Sequence, residues 1–122
     1  MKLANKKILV VDDEPEILAF LADMLELEGA TVTTAANGKI AYDHIIESEN
    51  LFCAIVSDIR MPVMSGLELL KKLKSENKKP DNFIFISGFS DISLEDALSQ
   101  GASAVVNKPF DIDKITSLCA AK

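Results

Sequence analysis

Short apolar runs rich in β-branched residues alternate along the chain with segments of helical period, five times over. The runs predict strands near Ile8 to Val11, Thr31 to Thr34, Ala54 to Ser57, Phe83 to Ser87 and Ala104 to Val106. The first and third are almost continuously apolar. A strand apolar on both sides must be covered on both, which calls for helices above and below a parallel sheet and disfavours a one-sided antiparallel layer.

The intervening segments carry their own start and stop signals. Pro15 suits a first helical turn, and Ile17, Leu18, Leu21, Met24 and Leu25 form one apolar stripe. Gly29 can take the left-handed closing position, so the first helix is predicted over Glu14 to Glu28. Asn37 is placed to cap a second helix with Ala41, Tyr42 and Ile45 inward. Ser65 with Glu68 makes a capping box for a third, carrying Leu67, Leu70 and Leu73. Asp91 is placed to cap a short fourth helix closed by Gly101, and Asp111 a fifth with Ile112, Ile115 and Cys119 on one side. Phe20, Phe83 and Phe85 read as core, and Met24, Met61 and Met64 as gap fillers. Nothing along the chain resembles a linker, a repeat or a low-complexity tract, and the expectation is one α/β domain over residues 1–122.

Composition narrows the function classes. The 122 residues carry 13 Lys and Arg against 19 Asp and Glu, a net charge of −6. Without basic stripes or Trp, direct nucleic-acid binding is not expected, because phosphate neutralisation supplies most non-specific affinity. No apolar run approaches the roughly 18 residues of a membrane span, and MKLANKK has no signal-peptide core, so a cytoplasmic protein is expected. Cys53 and Cys119 lie in no metal or CxxC pattern and read as apolar fillers.

Right-handed crossovers in an open parallel sheet bring the loops after the strands to one edge, where ligands bind. The residues at those positions are Asp12 and Asp13, Asp58, Ser87 and Lys108. Carboxylates gathered in this way repel one another unless a cation sits among them, and an all-oxygen set suits Mg²⁺. A lysine and a hydroxyl on the same rim suit a phosphoryl group. The set points to Mg²⁺-assisted phosphoryl transfer with Asp58 as the nucleophile, forming an aspartyl phosphate. Taken alone, Asp12, Asp13 and Glu14 would be an ordinary acidic helix start.

Four ordered motifs carry a family resemblance: ILVVDDEP at residues 8–15, VSDIRMPVMSG at 56–66, FISG at 85–88 and NKPF at 107–110. Over nearly its whole length the chain resembles a response regulator receiver domain, the phosphoacceptor module of bacterial two-component signalling. The resemblance implies a flavodoxin-like doubly wound (βα)5 fold with strand order 2-1-3-4-5. It implies that Asp58 accepts a phosphoryl group from a sensor histidine kinase or a phosphotransfer protein. Asp13 and Asp58 would hold Mg²⁺ directly, Asp12 mainly through water, and the backbone carbonyl of Arg60 would complete the shell. Ser87 and Lys108 would bond the phosphoryl oxygens, and the Lys108–Pro109 bond would be cis. Partner binding would change at the face of the fourth helix, fifth strand and fifth helix, with no activity beyond the chain's own phosphorylation and dephosphorylation.

The pattern departs from the family where many members carry a switch aromatic, a position filled here by Val105. Arg60 and Phe89 occupy the positions flanking the entry to the phosphoryl group. His44 is given no role, and the lysine run from Lys71 to Lys79 is expected to be a solvated helix face and loop. A phosphorylation-independent pseudo-receiver is the alternative; the complete set of site residues counts against it. A phosphatase lacks its second acid, since Ile59 and Arg60 follow Asp58, and a flavodoxin-type carrier lacks its phosphate loop. The sequence is read as a receiver without an output domain, either a single-domain regulator of the chemotaxis type or a receiver cut from a longer protein.

Overall fold

The computed structural model describes residues 2–48, 52–87, 94–107 and 111–120. Strands β1 (Lys7–Val11), β2 (Thr31–Ala35), β3 (Ala54–Asp58), β4 (Asn82–Ser87) and β5 (Ala104–Asn107) alternate with helices α1 (Pro15–Leu27), α2 (Gly38–Glu47), α3 (Gly66–Ser75), α4 (Leu94–Ser99) and α5 (Ile112–Ala120). Every strand pair is parallel and the sheet order is β2-β1-β3-β4-β5, the flavodoxin-like arrangement. Each strand differs from its predicted span by one residue at one end.

The alternation of side chains along the strands divides the core in two. Leu9, Val11, Ile55, Phe83 and Phe85 face one way and pack against Ala41 and Ile45 of α2, Leu69, Leu70 and Leu73 of α3, and Ala97 of α4. Ile8, Val10, Val56, Ile84, Ile86 and Val106 face the other way, against Leu21 and Leu25 of α1 and Ile115 and Cys119 of α5. The Phe83 and Phe85 rings meet edge to face, with centroids 5.2 Å apart, a geometry that adds about 1 kcal/mol to the burial itself.

The helix signals are realised in geometry. The Ile40 N–H donates to Asn37 Oδ1 at 2.9 Å at the start of α2. At α3, the Glu68 N–H donates to Ser65 Oγ at 3.1 Å and the Ser65 N–H returns to Glu68 Oε1 at 3.0 Å. Each such cap is worth about 1 kcal/mol. Pro15 opens α1 and Gly29, at φ +99°, closes it. Asp111 Oδ1 accepts from the Asp113 N–H at 2.9 Å before α5, and Asp91, the expected cap of α4, lies outside the described residues.

Three expectations need correcting. Phe20 was placed in the core and is 46% exposed. It stands about 100° round α1 from Leu21, off the stripe that Leu21 and Leu25 bury. Cys53 is only half-buried, whereas Cys119 is fully buried, and burial pushes its thiol up to about 12. The lysine run is not uniformly solvated, since Lys72 reaches Glu76 at 3.3 Å and lies 4.7 Å from the centre of the Tyr42 ring. The Tyr42 hydroxyl donates to Glu76 Oε1, tying α2 to α3. That bond holds the Glu76 carboxyl below its usual value and pushes the Tyr42 phenol up. A carboxyl held low contributes stability at neutral pH that is lost as pH falls through its folded value.

Candidate functional site

Strand register assembles the site. Val11 of β1 is level with Ser57 of β3, so Asp12, one residue beyond, comes beside Asp58 at the same edge. Asp58 is level with Ile86 of β4, which places Ser87 one step further along that edge. Because the strands are parallel, all three residues stand at carboxyl ends, the edge where ligands bind in open α/β sheets. Asp12 and Ser87 are fully buried and Asp58 is 7% exposed.

Among the described residues, carboxylate oxygens of Asp12, Glu14 and Asp58 all lie within 4.8 Å of one another. Asp12 and Asp58 were expected together. Glu14 was not, and Asp13, expected as a direct metal ligand, lies exposed at the rim beside Pro15 and Glu16. The cause is local. The Glu14 N–H donates to Asp12 Oδ1 at 2.9 Å, folding the chain back at the start of α1. The sequence signal for Glu14 was its place as the third acid of DDEP, which reads equally well as a helix start.

Asp58 is held by its own strand end. The Ile59 N–H donates to Asp58 Oδ1 at 2.8 Å, and Ser57 Oγ donates to the Asp58 carbonyl at 2.8 Å. Gly66, the first residue of α3, returns its N–H to the Ile59 carbonyl at 2.8 Å. Between them the loop turns at Val63, whose φ is +70°, with the Met64 N–H donating to the Pro62 carbonyl at 2.7 Å. This is a tight three-residue turn of the strained kind, carried by a β-branched residue. Arg60 is exposed, two residues past Asp58. Val105 is half-buried against the Phe85 side of the core. Lys108, Pro109 and Phe89 lie outside the described residues.

A family profile for the response regulator receiver domain matches residues 8–120. The chain belongs to this family. As a receiver domain it is 34% identical over 112 residues to the transcriptional regulatory protein CrdR of Helicobacter pylori, covering 91% of this chain and 52% of that one. The receiver therefore spans about half the length of that regulator. It is 34% identical over 109 residues to the response regulator receiver protein CpdR of Brucella abortus, covering 88% of each. In structure it is similar to a chain of the CheX–CheY–BeF3–Mg²⁺ complex from Borrelia burgdorferi, with a TM-score of 0.84 and 27% identity, covering 93% of this chain and 86% of that chain.

The donors of this receiver domain fit a hard divalent cation. They are all carboxylate oxygens, the donor type that Mg²⁺ prefers, and lie within 4.8 Å of one another, close enough for one ion to draw them together. No described helix is long and apolar enough to cross a membrane.

Proposed function

We propose that the chain is a phosphorylation-controlled switch whose acceptor is Asp58. The observation that carries this reading is the placement of one nearly buried carboxylate at a strand end, beside two further acids and next to the strand that ends in the Ser87 hydroxyl. An oxygen of the Asp58 carboxylate attacks the phosphorus of a phosphohistidine on a sensor histidine kinase or phosphotransfer protein. The P–N bond breaks, and the departing imidazole nitrogen keeps the bonding pair and takes up a proton. Asp12 and Asp58, with Glu14 or Asp13 and the Arg60 carbonyl, would hold Mg²⁺, which when bound neutralises charge on the transferred oxygens. Ser87 donates its hydroxyl proton to a phosphoryl oxygen, and Lys108 supplies a positive charge there. In this reading the chain catalyses nothing beyond its own phosphorylation and dephosphorylation, and it works in the cytoplasm.

A few kcal/mol of new bonds at Ser87 and Lys108 suffice to reverse a two-state population. The consequence is read out at the face of α4, β5 and α5 by a downstream protein. Beryllofluoride, a phosphoryl mimic, provides the test by ¹⁹F NMR. The expected result is saturable binding with Mg²⁺ that disappears on chelation and in Asp58→Ala. Absence of binding to the wild-type chain would overturn the reading in favour of a phosphorylation-independent interaction module.

A further inference from the structure

Helix α2 contributes no side chain to the acidic cluster, yet its first residue is seated on the loop that follows Asp58. The Gly38 N–H donates to the Met64 carbonyl at 2.9 Å, and Gly38 is buried. A Cβ built there would lie 2.6 Å from the Met64 carbonyl oxygen and 2.9 Å from Met64 Cγ, so only glycine permits this approach. Asn37 caps the same turn and presents the Gly38 N–H to the loop. Further along, the Tyr42, Glu76 and Lys72 contacts fix α2 against α3.

Met64 sits beside Val63, whose left-handed conformation gains nothing from its own side chain, 79% exposed, although Met61 and Met64 on either side of it pack against the core. Beside that packing, the strained turn is held by two backbone bonds, from Gly38 on one side and from Gly66 to Ile59 on the other. Ile59 in turn orients the acceptor, through its N–H to Asp58 Oδ1. We propose that Gly38 is a positioning residue for phosphoryl uptake, holding the β3–α3 loop in its strained form so that the Ile59 N–H fixes the Asp58 carboxylate. Whatever shifts α2 then tunes the acceptor without touching it. This inference rests on the phosphoacceptor reading above.

Gly38→Ala provides the test. Its Cβ must push Met64 away, and a displacement near 1 Å at a reacting group lowers rates on the order of tenfold to a hundredfold. The expected result, assayed well below the thermal midpoint, is at least a tenfold lower rate of uptake from saturating acetyl phosphate and a shifted Ile59 amide signal. Adding Val63→Gly, which lets the loop relax around the new methyl, is expected to restore the rate to within about threefold. A lowered midpoint with an unchanged rate would mean that Gly38 is merely structural, and failure of Val63→Gly to rescue would overturn the strained-loop account. Should Gly38→Ala not fold, Asn37→Ala frays the same turn without a clash. There, an unmoved Ile59 signal and an unchanged rate would be equally decisive against the proposal. The amide signal is read in the metal-free protein, so positioning is tested even if the wild-type chain takes up no phosphoryl group and the phosphoacceptor reading itself fails.

Discussion

Gly66→Ala is expected to lower the thermal midpoint by roughly 10 °C or more, corresponding to about 3 kcal/mol in a domain of this size. The added Cβ would stand 2.2 Å from the Asp58 carbonyl oxygen, 2.9 Å from Ser57 Oγ and 3.1 Å from the Phe85 ring. All three neighbours belong to buried central strands, so none can swing aside as a surface side chain would. The same displacement would break the Gly66 bond to Ile59 and loosen the acceptor, so phosphoryl uptake should fall together with stability. Gly101→Ala is the matched control. Its Cβ meets nothing closer than 3.5 Å, and only its φ of +107° resists the change, a penalty of about 1 kcal/mol. Calorimetry on both variants decides the matter, and a Gly66→Ala midpoint within about 2 °C of the wild type would contradict the packing described here.

Asp12→Asn is expected to act in opposite directions with and without metal. Two unit charges about 5 Å apart repel by about 3 kcal/mol at the dielectric that suits protein sites, and exposure of Glu14 reduces its share. Three carboxylates lie within such distances, and even if Lys108 joins the rim the acids outnumber it. Asn keeps the shape of Asp and the oxygen that accepts the Glu14 N–H, so the main change is the loss of charge. The metal-free midpoint should rise, by the equivalent of about 1–3 kcal/mol. Saturating Mg²⁺ should stabilise the wild type by about 2.7 kcal/mol at a hundredfold excess over its dissociation constant. In Asp12→Asn, affinity should fall by about 10- to 100-fold, and about half or more of that gain should vanish. A variant that melts below the metal-free wild type would contradict the repulsion, and one that keeps the full Mg²⁺ response would show that Asp12 belongs to no cation site.

The legibility of the sequence followed the strength of each physical constraint. The spans of β1 and β3 came out to within one residue because ILVV and AIV must be buried on both faces, and no other placement buries them. The caps at Asn37 and Ser65 were equally plain, since each pairs a specific oxygen with a specific N–H at a fixed offset. Asp12, Asp58 and Ser87 were visible as strand-end polar residues, because topology alone brings them to one edge. The place of Glu14 was hidden, because a helix start and a metal cluster use the same residues and only the backbone turn at Asp12 distinguishes them. Phe20 misled because periodicity defines a stripe's centre better than its border. The contact of Gly38 with Met64 was out of reach, because it joins residues far apart in sequence through a backbone bond that no side-chain pattern announces.

The phosphoacceptor reading is tested most directly by intact mass after incubation with acetyl phosphate and Mg²⁺, in the wild-type chain, in Asp58→Ala and with EDTA present. The account predicts an adduct of one phosphoryl group on the wild type and none in either control. An adduct that persists in Asp58→Ala would place the acceptor elsewhere and contradict the central claim.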